Sequence, residues 1–299
     1  MDFQNGAQLL TLCEEKKIAI SEAMKERESS LTETDGREID RRMTEVLAIM
    51  EHASHEPLSH PRPSMGGLIG GESMLVDRHR REGKSICGSI LSKAIAYSMA
   101  VLEINSSMGL IVAAPTAGSS GVVPGVLLSL KEEHGLSGEA LLPALYNASA
   151  IGYLAMRNAT VAGAVGGCQA EVGVASAMAA SAAVELMGGS PRQCLDAAST
   201  ALMNLLGLVC DPVGGLVEYP CQNRNAIGAA GALTAAELAL SGVKQMIPFD
   251  EMLAVMYGVG KRLAPELRET AQGGCAVAPS AYAAAGRCIT AGKCAAAEK

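Results

Sequence analysis

Tryptophan is missing from this sequence of 299 residues, phenylalanine occurs 2 times and aromatics make up 3%. That scarcity excludes an aromatic-rich β-sandwich core. Positive charge is also short, with Lys+Arg 24 against Asp+Glu 31 and a net charge of −7. No basic stripe is present, and phosphate backbones are bound by clustered Lys and Arg, so nucleic acid is not an expected partner. There are 9 cysteines but no Cys-x-x-Cys pair, which argues against zinc ribbons and ferredoxin-type spacing. The N-terminus MDFQNGAQLLTLCEEKK lacks a basic region followed by a clean apolar stretch, so no secretory signal is read there. An odd cysteine count without such a signal points to a reducing cytoplasm. The longest uncharged stretch, Ile104 to Leu130, holds Pro115, Pro124 and 4 glycines, which would break a membrane-spanning helix.

What is present is small and apolar. The hydrophobic fraction is 49% and charge is modest, so disorder is excluded at the level of the chain. Ala, Gly, Val, Leu and Met must build the core, and small side chains let helices approach closely. Strand signals are few, and Leu110–Ala113 is the best of them. The expectation is a mainly α, single Ala/Gly-rich helical domain with few or no strands.

Charge is uneven along the chain, with 20 of the 55 charged residues in residues 1–56. This segment reads as exposed helices over Asn5–Lys25 and Asp35–His55. In the second, Ile39, Met43, Val46, Leu47 and Met50 recur at helical spacing. Pro57 to Gly71 reads as a loop. From Lys84 to Lys299 the chain reads as an apolar helical core, residues 84–299. Helices are predicted over Ser85–Ile104, Ser120–Glu133, Gly138–Asn158, Ala170–Met187, Pro191–Leu208, Asn225–Ser241 and Asp250–Leu263. Ser190-Pro191 supplies an N-cap followed by an N1 proline.

The common catalytic motifs fail one by one. Gly83-Lys84-Ser85 ends like a phosphate loop, but the required earlier glycine is Arg78. Gly258-Val259-Gly260 lacks a third glycine and follows no strand. Neither His-Glu-x-x-His nor Gly-x-Ser-x-Gly occurs. The histidines, His52, His55, His60, His79 and His134, avoid the apolar second half, so no Cys-His or Ser-His pair is supported there.

Three cysteines stand apart by their surroundings. Cys168 follows Gly166-Gly167 and precedes a predicted helix, whose N-terminus favours a thiolate. Cys210 and Cys221 bracket a segment with 2 prolines and 2 glycines between them, the composition of a shaped loop. Cys13, Cys87 and Cys194 lie among apolar neighbours and read as core filling. Cys275, Cys288 and Cys294 are left open, as inert residues or a further ligand.

Four motifs carry a resemblance. They are Ser106-Ser107-Met108-Gly109; Ala114-Pro115-Thr116-Ala117-Gly118-Ser119-Ser120-Gly121; Gly167-Cys168-Gln169-Ala170-Glu171-Val172-Gly173; and Cys210-Asp211-Pro212-Val213-Gly214-Gly215 running on through Glu218-Tyr219-Pro220-Cys221-Gln222-Asn223-Arg224-Asn225. In them the chain resembles the α chain, or α domain, of the iron–sulfur-dependent L-serine dehydratases (L-serine ammonia-lyases), over at least Pro63 to Pro279.

The resemblance implies a catalytic domain over 1–299 and a [4Fe–4S] cluster held by Cys168, Cys210 and Cys221. One iron is then free of protein thiolate and open to the β-hydroxyl of L-serine. It implies conversion of L-serine to pyruvate and ammonia. It also implies a separate β chain that supplies the base, a histidine in a Ser-Ser-His-Thr-like motif absent here. In this chain His60 and His134 are weaker choices. For the substrate's charged groups, Ser106, Ser107, Thr116, Ser119 and Ser120 offer hydroxyls beside glycines. Asn223, Arg224 and Asn225 are placed to pin the cluster or the carboxylate, Arg224 alternatively as an ion pair, with Lys84 a weaker candidate. Rival readings are an L-cysteine desulfidase of the same broader group, a pyridoxal-phosphate dehydratase, and a non-enzymatic helical scaffold with structural zinc.

Overall fold

The computed structural model describes residues 2–290, the side chains of 286–290 excepted. Cys294 and the side chain of Cys288 therefore lie outside the described residues. Among those residues there are thirteen α-helices and no strand, as the composition predicts. The one β-like contact is an isolated parallel bridge between Cys210 and Arg268.

Helix α9 (Val174–Leu186) runs through the centre, and every residue from Val174 to Val184 is buried. Its sequence VASAMAASAAV has no polar face, as a helix buried all round requires. Around it pack α6 (Val122–Glu133), α7 (Leu141–Asn158), α10 (Pro191–Asn204) and α11 (Cys221–Leu240). Helix α5 (Gly88–Ser106) closes the layer against α6 and α11.

Glycine sets the closest approaches. A Cβ on Gly121 would lie 2.1 Å from the Ser98 carbonyl oxygen, and one on Gly125 would lie 2.8 Å from that of Ala94. Between α9 and α11, Ser176 Oγ donates to the Gly228 carbonyl at 3.0 Å. These contacts turn a small-residue composition into rigid packing.

Three sequence readings are corrected here. The charged N-terminal segment is not merely an exposed layer, because Phe3, Leu9, Ile20 and Ala23 are fully buried in the main core. The span Asn5–Lys25 is two helices, α1 (Gly6–Lys16) and α2 (Ile20–Thr32). Lys17 turns left-handed between them, and the Glu22 carboxylate accepts the Ala19 N–H at 2.8 Å. Helix α3 (Gly36–Ser59) continues past Pro57 into the stretch read as a loop.

Helices α4 (Glu72–Arg81) and α13 (Pro279–Thr290) were not predicted. No apolar stripe marks α4. It is held by charge instead: buried Asp77 pairs with Arg80 and Arg81, and Glu103 accepts the Ser73 N–H at 2.9 Å. The remaining elements are α8 (Gly163–Gly166) and α12 (Phe249–Gly260). Among the described residues no helix is long and apolar enough to cross a membrane.

Gly121→Ala should cost about 2–3 kcal/mol, because the new methyl meets backbone. Gly231→Ala, in open space on α11, should instead gain about 0.5–1 kcal/mol from helix propensity. Urea unfolding of the two variants checks the contrast.

Candidate metal centre

Each of the three cysteines is placed by a different local device. Cys168 follows Gly167, whose φ of +76° suits glycine and whose Cβ would meet the Leu208 carbonyl at 2.8 Å. Cys168 then opens a π-helical turn, Gln169–Gly173, that runs into α9. The Gln169 side chain locks this entry: it accepts the Gly207 N–H at 2.8 Å and donates to the carbonyls of Gly166 and Met256, both at 2.9 Å. Cys210 is held in irregular chain by its own backbone, donating to Leu267 at 2.9 Å and accepting from Glu269 at 2.6 Å. Cys221 is the first residue of α11, after a cis Tyr219-Pro220 bond.

All three thiols are buried, and they are close enough to act on one another. Burial raises Cys168 and Cys221 to about 12, and the negative charge of Glu171 adds to both. Cys168 further raises Cys221. Cys210 is pushed up by burial, then by Glu171 and Cys168, with Cys221 adding to the effect. The free thiols are therefore protonated at neutral pH, and a metal must displace those protons to bind. Arg224 opposes the repulsion by favouring the thiolate forms of Cys168 and Cys221.

Arg224 and Asn225 are more committed to the frame than their sequence position suggests. The Arg224 guanidinium donates to the Val209 carbonyl at 2.8 Å and pairs with Asp211 at 2.7 Å. Asn225 is fully buried. It accepts the Gly121 N–H at 3.0 Å and donates to the carbonyls of Gly118 at 2.8 Å and Cys221 at 2.9 Å. Its amide thus ties the 118–121 turn to the Cys221 helix start. Asn223, between Gln222 and Arg224, is exposed.

The hydroxyls divide in the same way. Ser119 and Ser120 are fully buried, and Ser120 Oγ donates to the Ala117 carbonyl at 2.8 Å. Thr116 Oγ1 donates to Glu171 at 2.8 Å and lies 3.1 Å from Ser119 Oγ. Ser106 and Ser107 bond back to the carbonyls of Glu103 and Ile104 at the end of α5. Lys84 pairs with Glu82 on the surface, and His134 caps the end of α6. Cys13 and Cys194 are core residues as read, whereas Cys87 is half-buried at the start of α5. The exposed Cys275 sends its backbone N–H to Asp211 at 2.6 Å, at the edge of the site.

Glu171 is the residue that motif reading passed over as a site group. Its Oε2 lies 3.7 Å from Cys210 Sγ. Burial lifts its carboxyl above the usual carboxylate range, against the Thr116 hydroxyl. Glycines make room for it, since a Cβ on Gly163 would stand 2.5 Å from its oxygen and one on Gly118 3.3 Å. A signal was available: Glu171 is the sole acid between Glu139 and Glu185. Glu218 was also passed over. It is buried and accepts from Ser64 Oγ and the Gly66 N–H at 2.6 Å each, and from the Leu68 N–H at 3.1 Å.

Among the described residues no three His, Cys, Asp or Glu side chains converge tightly enough for a single metal ion. One zinc needs its sulfurs about 2.3 Å from a common point. In a polynuclear cluster each thiolate takes a different iron, so the sulfurs stand farther apart. Three sequence-distant buried thiols with one guanidinium are a donor set that fits such a cluster.

Asn225→Ala removes one acceptor and two donors from buried backbone groups. It should cost about 1–3 kcal/mol in a thermal or urea melt.

The family described as serine dehydratase alpha chain matches residues 15–276. The probable L-serine dehydratase alpha chain of Bacillus subtilis is 44% identical over 278 residues, covering 93% of this chain and 92% of that one. The L-serine dehydratase alpha chain of Peptoniphilus asaccharolyticus is 41% identical over 274 residues, covering 92% and 94%. The L-serine dehydratase of Helicobacter pylori is 37% identical over 284 residues, but there the match takes up 61% of the longer protein. The chain belongs to the serine dehydratase alpha chain family.

Proposed function

We propose that this chain is the α subunit of an L-serine dehydratase, with a [4Fe–4S] cluster held by Cys168, Cys210 and Cys221. The observation that carries the reading is the gathering of these three buried thiols from separate segments beside one guanidinium. Family membership supplies the reaction. L-Serine becomes pyruvate and ammonia: water leaves across Cα–Cβ, and the aminoacrylate tautomerises and takes water back. Bound by three thiolates, the cluster supplies one iron free to act as a Lewis acid toward the hydroxyl that leaves.

The chain's own residues do the holding. Arg224 places positive charge beside Cys168 and Cys221, which lowers the cost of keeping buried thiolates. Gln169 and Asn225 fix the two helix starts that carry Cys168 and Cys221. Thr116 and Glu171 form a polar wall on the Cys210 side. Asn223 is exposed, where its amide can meet a substrate carboxylate or ammonium. Of the two in-chain histidines considered for the base, His60 closes α3 with its ring 3.1 Å from Ser59 Oγ, and His134 closes α6. The base that removes the Cα proton is assigned to a β chain, in keeping with the alpha chain names of the two-chain relatives.

Three thiols gathered beside a guanidinium favour this reading over a structural zinc scaffold, which takes four protein ligands. Anaerobic purification with the β chain should give about four irons and four sulfides per α chain and pyruvate from L-serine. Cys168→Ala, Cys210→Ala and Cys221→Ala should each lose iron and activity together, while Cys13→Ala and Cys194→Ala keep both. Full activity in Cys210→Ala, or zinc in place of iron, would overturn the reading. Faster pyruvate release from L-cysteine, with sulfide, would transfer it to a desulfidase.

A further inference from the structure

Residues 107–113 join the end of α5 to the turn that bears Thr116, and they are neither helix nor strand. Buried or not, backbone N–H and C=O groups need partners. Among the described residues, no hydrogen bond joins the backbone groups of Leu110, Ile111, Val112 and Ala113 to another residue. Ile111 and Val112 turn inward against the core. Met108 and Leu110 point outward, 76% and 69% exposed. Met108 has a φ of +63°, a left-handed conformation that is unfavourable for a long side chain. It stands just past the end of α5, where a left-handed residue commonly closes a helix, and its side chain is left in solvent.

The patch extends across the neighbouring loop. The Met65 N–H donates to the Ser106 carbonyl at 2.9 Å. Glu218 clamps the same loop through Ser64, Gly66 and Leu68. Met65 and Tyr219, the residue after the clamp, are both exposed. Met65, Met108, Leu110 and Tyr219 thus form an apolar rim on segments that lead directly to Thr116 and Cys221.

We propose that this rim, with the open backbone of residues 110–113 as its edge, is where the β chain docks. The inference rests on the two-chain reading above. Two facts select the occupant. The matched region fills 61% of the Helicobacter relative, so that protein carries a large segment beyond the matched region, and the relatives named as alpha chains imply a second chain. A partner that brings a base to the cysteines must reach them, and this rim lies on the segments that run into Thr116 and Cys221. The larger apolar groove of about 890 Å³, lined by Ile90, Leu91, His134, Met187 and Leu238, does not. It lies by Cys87 at the start of α5, about 28 Å along the helix from Ser106.

Hydrogen exchange locates the contact without any substitution. The amides of residues 110–113 should exchange freely in the isolated chain and become protected when purified β chain is added under anaerobic conditions. Met108→Glu combined with Leu110→Glu should weaken β binding at least tenfold and leave the melt unchanged. Activity should return at saturating β chain. Ile86→Glu, 98% exposed at the far end of α5, should bind within twofold of wild type. Protection over residues 86–91 and 233–240 instead, weakening by Ile86→Glu alone, or no change in exchange anywhere would overturn the proposal. Failure of the functional reading shows separately, as a wild-type pair that binds but holds no iron and makes no pyruvate.

Discussion

Three thiols are held together where none of them gains by ionising. Burial and mutual repulsion keep Cys168, Cys210 and Cys221 protonated, with Glu171 adding a further negative group. A fold that only needed to be stable would not gather them. The arrangement becomes favourable when a cationic group replaces the protons, since metal binding is then coupled to the folded state. Arg224, tied to Asp211 and Val209, is the counter-charge that makes this possible in the meantime. Much of the surrounding architecture follows from holding sulfurs in fixed positions.

The alanine and glycine content serves that end. Helices α9 and α11 both begin at the site, one just after Cys168 and the other at Cys221. Their separation decides where the sulfurs stand. Ser176 and Gly228 bring the two helices into close contact, and Gly121 does the same for α5 and α6. Larger side chains would spread the helices and move the thiols apart. The absence of tryptophan is therefore part of the geometry.

The sequence made the central helices legible because their boundaries carry glycines, prolines and capping residues, as at Ser190-Pro191. Glycines and prolines around Cys168, Cys210 and Cys221 set them apart from the other cysteines, and the structure buries all three. Helix α4 was not, because its stability comes from the Asp77–arginine pairs and the distant Glu103 carboxylate, which leave no apolar period. The inner faces of α1 and α2 were masked by surrounding charge, although Phe3, Leu9 and Ile20 are fully buried. Asn225 reads as pinning the cluster or the carboxylate because it follows Cys221, but its role as a backbone tie depends on Gly118 and Gly121, more than 100 residues away. Glu171 was visible as an isolated acid. Its meaning came only when Cys210, 39 residues on, was seen beside it.

The most direct measurement is anomalous diffraction at the iron edge from crystals grown anaerobically. The account predicts a compact four-iron peak with three of its corners about 2.3 Å from Cys168, Cys210 and Cys221 Sγ, as metal–thiolate bonds require. The fourth corner should carry no sulfur from these three residues. Iron bound elsewhere, or a single ion drawn in by the three thiols, would contradict it.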